Sequence, residues 1–505
     1  HLLRRPKDFL FLAILFVITG VGIIIYSNQP PNEPRERDYV LVGSFFTFAI
    51  WAGMAVLAMF EALRNKAKIK NGAIAAGIAG ILALSAPAIM LHQNFDDHSR
   101  AEHTASRDYA SNFLNSLEPN AIIFTYGDND TYPLWYAQEV ENIRTDVRVV
   151  NLSLIAVDWY INKLRNKVND SPPIKLTITK ENYTGYKRNF LLFANSNDPY
   201  PLSKALEVAN SDKRLPGANK KAVGYLPSRK LMIIPDRAKA IAAGMMTASD
   251  PDPEPIMFNY SAKKQYLQKD DIAIIDLIGS NIYDRPIYFA VTCENSKLQG
   301  INDYMQLEGL ALRIVPFKNK GVREGGVAYS GKVDGNKIYD NVMNKWKWGN
   351  FDKQELFVDD SYSAALLAMR SVMKRAAADL FQKGQPDKAA ELSKKYFEAF
   401  PNMNFHYTYD VIPFIDILVR TEAHDEAKKH LRILADESRQ NLNFLNSIDP
   451  ETVTNSYTFK GDAQRYLYAA NDVIRLSRSI GDANFTTEME NLVGEYLTTR
   501  QSIPK

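Results

Sequence analysis

Two aspartates one residue apart, Asp128 and Asp130, sit in the run Ile122-Ile123-Phe124-Thr125-Tyr126-Gly127-Asp128-Asn129-Asp130-Thr131-Tyr132-Pro133-Leu134-Trp135. An apolar stretch stops at Gly127, the two acids follow, and Pro133 opens a helix-like run from Leu134 to Val140. Strand, acidic turn and helix N-terminus is the order in which α/β sheets present ligand-binding loops at their strand ends. On an extended turn both carboxylates fall on one side. There they could hold a divalent cation through oxygen ligands, or accept sugar hydroxyls with Trp135, Tyr132 and Tyr136 as a flat apolar platform. The purely structural alternative is an Asx-type turn in which the aspartates cap a helix beginning at Pro133. The chain has no Gly-rich phosphate cradle, complete EF-hand loop, nucleophile elbow or zinc-protease helix motif, so nucleotide and zinc-hydrolase chemistry have no support.

Two further polar groups could do chemistry. The stretch Asn28 to Tyr39 carries Arg35 and Arg37 beside Glu36 and Asp38, stiffened by three prolines. Guanidinium groups match phosphate bidentately, so this pair could grip a lipid-linked phosphate. A solvated turn with internal Arg–Glu pairs is the plain alternative. The second group is His92, Asp96, Asp97 and His98. Three of these are contiguous and cannot all face one point on a regular helix, which favours a connector over a metal site. The single cysteine, Cys293, excludes an intramolecular disulfide and reads as a small buried hydrophobe.

These groups are positioned by three kinds of element. Apolar runs at Phe9–Tyr26, Val40–Phe60 and Ala73–Leu91 are each near the roughly 20 residues that cross a bilayer. Arg4, Arg5 and Lys7 precede the first run, and Arg64, Lys66, Lys68 and Lys70 lie between the second and third. The positive-inside rule puts both basic groups in the cytoplasm. The Asn28–Tyr39 loop and everything after Leu91 are then outside, which in a bacterium is the periplasm. The balanced net charge of +3 gives no reason to invoke nucleic acid.

Beyond the membrane part, strand candidates in the run from Ile122 that stops at Gly127 and at Val147–Leu154, Leu231–Ile234, Pro286–Thr292 and Leu312–Phe317 alternate with helix candidates at Ser106–Leu117, Val157–Val168 and Asp271–Asn281. The alternation predicts a mixed or parallel sheet with covering helices. Residues 172–255 are rich in Pro, Asn, Lys and Tyr and read as an insertion or long loops. From Ser361 the pattern turns helical. A helix, a turn at Gly384 and a second helix ending at Phe400-Pro401 resemble one tetratricopeptide unit. Further pairs are expected at Val411–Arg420 with His424–Gln440, and at Ala463–Ile480 with Asn484–Arg500. The expected domains are a membrane part, 1–95, an α/β part, 96–350, and a helical repeat-like part, 351–505.

The run Asn28-Gln29-Pro30-Pro31 to Arg35-Glu36-Arg37-Asp38-Tyr39, the junction His92-Gln93-Asn94-Phe95-Asp96-Asp97-His98 and the block Phe124 to Leu154 together resemble one family. It is the large Bacteroidetes membrane proteins called domain of unknown function 2723, grouped with the protein O-mannosyltransferase-like glycosyltransferases. The resemblance covers roughly residues 1–300. It implies a polytopic GT-C type enzyme of the inner membrane that passes a sugar from a polyprenyl phosphate to Ser or Thr of exported proteins. Its partners would be membrane lipid, the lipid-linked sugar and the acceptor polypeptide. It implies donor-phosphate contacts at Arg35 and Arg37, and acceptor or sugar contacts at Asp128, Asp130 and Trp135. A catalytic carboxylate is expected in the family's first outer loop. Because the chain opens on His1, it reads as the C-terminal portion of such a protein, and no catalytic base is named in it. The alternative class is a non-enzymatic, membrane-anchored periplasmic scaffold that docks partners.

Overall fold

The computed structural model describes residues 5–28, 37–216, 222–319, 322–324, 327–330 and 332–498. Two compact units form, His1–Ala101 and Glu102–Lys505.

The first unit holds three helices long and apolar enough to cross a membrane, Pro6–Ser27, Asp38–Asn65 and Gly72–Phe95. Each contains the run expected from the sequence. Their outer faces carry side chains such as Phe11, Ile25 and Ile81, 69%, 73% and 73% exposed, a surface that suits lipid and not water. The first two helices approach through small residues. A Cβ on Gly20 would lie 2.8 Å from Ser44 Oγ, and one on Gly43 the same distance from Thr19 Cβ. Ser44 Oγ donates across the contact to the Phe16 carbonyl at 3.2 Å. Small residues that let backbones close up are how helices associate where lipid removes the hydrophobic drive.

In the second unit the opening helix, α1 (Ala105–Asn115), leads into β1 (Ile122–Thr125), α2 (Asp128–Glu139) and β2 (Arg148–Asn151). A short helix, α3 (Asp158–Lys163), follows. The chain then makes a long excursion and returns through α4 (Lys269–Asn281) to β3 (Ile287–Ala290). Strands β4 (Met305–Leu307), β5 (Ala311–Ile314) and β6 (Lys332–Val333) complete one six-stranded sheet in the order β6-β4-β5-β3-β1-β2. Strands β3, β1 and β2 are parallel, whereas β5 runs against both β3 and β4. The sheet is therefore mixed. Every residue of β1, β2 and β3 is buried, as expected of parallel strands covered on both faces, which read as continuous apolar runs and not as alternation. Phe124 and Phe289 stack across the β1–β3 pair with centroids 4.7 Å apart.

Several boundaries differ from the sequence expectation, each for a local reason. The helix after β1 starts at Asp128 and not at Pro133, because Thr131 Oγ1 donates to the Gly127 carbonyl and closes the first turn upstream of the proline. Strand β2 stops at Asn151, whose side-chain oxygen accepts from the amides of Ser153 and Leu154 and bends the chain into a 3-10 turn. The expected helix Val157–Val168 ends at Lys163. Residues 172–255 are not plain loops. They contribute the helix Leu202–Asn210 and short strands to two three-stranded sheets outside the main one. The expected strand at Leu231–Ile234 is Lys230–Ile233 and belongs to one of these small sheets.

After β6 come α5 (Gly335–Asn344), α6 (Ser363–Gln382), α7 (Pro386–Ala399), α8 (Ile412–Arg420), α9 (His424–Ser447), α10 (Tyr457–Ile480) and α11 (Ala483–Thr498). The α/β and helical parts share a core. Trp348 packs edge-on against Phe400 at 5.8 Å, and the Gly335 amide donates to Asp379 on α6.

Candidate functional site

The connectivity selects where a ligand would sit. From β1 the chain crosses through α2 to β2 on one side, and later returns to β3 on the other. In an open α/β sheet the crevice at the carboxyl ends of the strands where the order reverses is the binding location. Here that is the space above β1 and β3. The opposite end of the sheet is closed by two buried arginines. Arg285 donates to the carbonyls of Asn120 and Ala121, and Arg148 to those of Leu164, Asn166, Ser171 and Pro172.

At the carboxyl end of β1 the chain turns through Gly127 at φ 82° and ψ 177°, a conformation essentially reserved for glycine. Three polar side chains below the turn fix one another. Thr125 Oγ1 and Thr131 Oγ1 are 2.7 Å apart, and Asn151 Nδ2 donates to Thr131 Oγ1 at 3.0 Å. Asp130 is buried and accepts a hydrogen bond from the Thr292 hydroxyl, in the loop after β3. Burial raises its pKa above the ordinary 3.8, and the bonds from Thr292 and the Tyr126 amide oppose the shift without cancelling it. The neighbouring Cys293 is buried and donates to the Phe124 carbonyl at 3.5 Å. Burial pushes this thiol well above 9.0, with Asp130's charge adding to the effect, so it is a packed hydrophobe and not a thiolate nucleophile. The Tyr109 hydroxyl is buried at the same place without a hydrogen-bond partner among the described residues. At the outer rim Lys297 lies 5.6 Å over the Tyr126 ring and 3.3 Å from Asp270.

The electrostatics of the turn limit what can bind. A helix N-terminus attracts anions, but Asp128 and Asp130 already fill the first turn of α2 with negative charge. The arrangement suits a hydroxyl-rich ligand better than a phosphate.

The expected convergence of Asp128, Asp130 and Trp135 is corrected by this geometry. Residues two apart on a helix do not face each other. Asp128 is exposed, whereas Asp130 is buried against the β3 loop. The two therefore do not form the one-sided oxygen pair that an extended turn would give. Among the described residues no cluster of three or more His, Cys, Asp or Glu could hold a metal. Trp135 stands on the other side of β1, with its ring 5.6 Å from that of Tyr132, and lines a cleft against β2. Arg37 is exposed just before the second apolar helix, in the His1–Ala101 unit. Arg35 lies outside the described residues, as do the side chains of Asp96, Asp97 and His98. Sequence reading missed Thr292, Asn151 and Tyr109. The signal for the first two was a polar residue placed at the carboxyl end of an apolar strand run.

Residues 106–337 match the family model described as TMEM260-associated domain 2. That span runs from α1 into α5 and so encloses the mixed sheet and the β1–α2 turn. Over 91 residues the chain is 29% identical to a mouse (Mus musculus) protein described as Protein O-mannosyl-transferase TMEM260. The matched stretch is 17% of this chain and 13% of that relative's length. No solved structure matches the chain. The chain is thus similar in part to an O-mannosyltransferase-like family, and its α/β part follows in sequence three helices long and apolar enough to cross a membrane.

Proposed function

We propose that this chain is a membrane glycosyltransferase of the O-mannosyltransferase-like type, moving a sugar from a polyprenyl phosphate to Ser or Thr of an exported protein. The observation that carries the reading is the family match over the whole α/β body, joined to three apolar helices in one chain. The polar turn at the carboxyl ends of β1 and β3 is the place of a sugar or acceptor contact in this reading, with buried Asp130 and Thr292 beneath it and exposed Asp128 at its edge. Trp135 then contacts the acceptor from the β2 side. In this account Arg35 and Arg37 meet the donor phosphate at the membrane face. The soluble part lies outside the inner membrane of a Bacteroidetes-type cell, as the distribution of basic residues suggests. The functional division is 1–95, 96–350 and 351–505, and the paired helices α6 with α7, α8 with α9 and α10 with α11 act as a tetratricopeptide-like brace.

The reading is tested with membranes from cells that carry or lack the gene, given a labelled polyprenyl-phosphate mannose and a Ser/Thr-containing acceptor peptide. Gene-dependent transfer is expected. Equal transfer from both membranes would remove the reading. The Arg35→Ala and Arg37→Ala variants are expected to raise the donor concentration needed for half-maximal transfer and to leave the acceptor requirement alone. Unchanged kinetics would remove the phosphate role.

A further inference from the structure

Strand β2 is the last strand of the sheet, and its outer edge carries a buried backbone donor and acceptor without a partner among the described residues. The Arg148 amide donates to the Ala121 carbonyl and the Leu152 amide to that of Thr125, each at 2.8 Å. Alternation along the strand therefore turns the amides of residues 148, 150 and 152 toward β1, and those of 147, 149 and 151 outward. Groups around the edge satisfy both backbone groups of residue 147 and the amide of residue 151. Gln138 Nε2 donates to the Val147 carbonyl at 2.8 Å, and the Val147 amide donates to the Arg144 carbonyl. The Asn151 amide donates to the Tyr160 hydroxyl at 2.8 Å. Val149 lies between them, 5% exposed, and neither its N–H nor its C=O has a hydrogen-bond partner among the described residues. Buried backbone groups are nearly always paired, so an unpaired couple facing a cavity points to an occupant.

The cavity is a cleft of roughly 380 Å³ between α2, the β2 edge and α3. Its walls are chiefly apolar. Trp135 and Trp159 both line it, and Leu154, Leu164 and Val168 add apolar surface. Glu139, Lys163 and Asn169 are among its polar lining residues. Trp159 is 55% exposed and rests edge-on against Tyr160 at 5.7 Å. Arg148 also borders the cleft, but its guanidinium donates to backbone carbonyls and to Ser171, and so is not available to a ligand.

We infer that this cleft binds one residue of an extended polypeptide from another protein. The Val149 N–H and C=O exchange two hydrogen bonds with that residue's backbone, and an apolar side chain of the same segment lies between Trp135 and Trp159. The complementarity is dipole to dipole. A strand edge offers a donor and an acceptor at the spacing that only another extended backbone returns. Because both backbone groups of Val147 and the amide of Asn151 are already bonded, pairing stops after one residue and does not grow into open-ended strand addition. Glu139, Thr145, Lys163 and Asn169 also line the cleft, so a sugar is the competing occupant, and the mannoside arm of the test separates the two. The inference stands on the edge geometry. It does not require the transferase reading, although an acceptor polypeptide is the occupant that reading would provide.

The test uses the whole chain in detergent or nanodiscs and follows tryptophan fluorescence. The probes are the pentapeptide acetyl-Thr-Val-Phe-Val-Thr-amide, the same peptide with its central amide nitrogen methylated, and methyl α-mannoside. Saturable binding of the first peptide at or below about 1 mM is expected, weakened at least about tenfold by the methyl group. The Trp159→Ala variant should lose the binding and keep its melting temperature, since that side chain is mostly exposed. Mannoside should not compete. Three outcomes would overturn the inference: no peptide binding up to about 10 mM, equal binding of the methylated peptide, or displacement by mannoside, the last of these assigning the cleft to carbohydrate. Gene-independent sugar transfer alongside methyl-sensitive peptide binding would sink the transferase reading and leave this one standing.

Discussion

Asp130 keeps its carboxylate out of water, with the Thr292 hydroxyl donating to it. Its raised pKa fixes the sign of a pH effect. In the window from 3.8 upward to the raised value, the folded chain holds a proton that the unfolded chain has released. The group's contribution to stability therefore falls as pH rises through that window. Replacing it by Asn keeps an acceptor for Thr292 and removes the buried charge. We expect Asp130→Asn to melt no lower than the parent at pH 7, with the difference closing toward pH 4, while glycosyl transfer falls. Thermal scans across that range check the first part. A marked destabilisation at pH 7 would mean that something in the fold depends on the negative charge. The position of the acidic pair, between the end of an apolar strand run and a helix, was legible in the sequence. Its geometry was not. Whether two such residues converge depends on whether the turn is extended or helical, and here the Thr131 hydroxyl closes it as a helix.

Among elements, the β1–α2 turn depends most on one residue. Gly127 has a backbone conformation that side chains oppose, yet a Cβ placed there meets nothing within 4 Å. The cost of Gly127→Ala is then backbone strain alone, about 1–3 kcal/mol, readable as a lowered denaturation midpoint. A neutral result would mean that the turn relaxes to a different conformation. Helix α9 carries a second testable feature. His430 is buried, stacks 3.6 Å from Phe397, and bonds to Glu426 and Tyr407. Burial lowers its pKa to about 4, against 6.5 in the open chain. Between those values the unfolded chain takes up a proton that the folded one refuses. The stability this group contributes is present above pH 6.5 and is lost as pH falls toward 4, by about 3 kcal/mol in all. The His430→Gln variant should show a flatter stability profile over that interval, and an unchanged slope would assign the acid sensitivity elsewhere. Long periodic helices and fully apolar strands were readable in the sequence. The short strands of residues 172–255 were not, because pieces of two to four residues take their conformation from neighbours far along the chain.

For the molecule as a whole, the succession of three long apolar helices, a mixed α/β region and a helical region was the most legible feature. Runs of about 20 apolar residues need no partner information to be recognised. The continuous core linking the sheet to the helical tail was not legible, since it rests on contacts such as Trp348 with Phe400 that no local pattern announces. The family match falls on the body that holds the β1–α2 turn, and the same chain carries three helices long and apolar enough to cross a bilayer. Transfer from a lipid-linked donor to an exported acceptor requires both. The most direct measurement is intact-glycoprotein mass spectrometry of exported proteins from cells with the gene, without it, and with it restored. The account predicts loss of a hexose from Ser or Thr on deletion and its return on restoration. An unchanged glycan profile at equal protein levels would contradict it and leave a membrane-anchored scaffold as the better description.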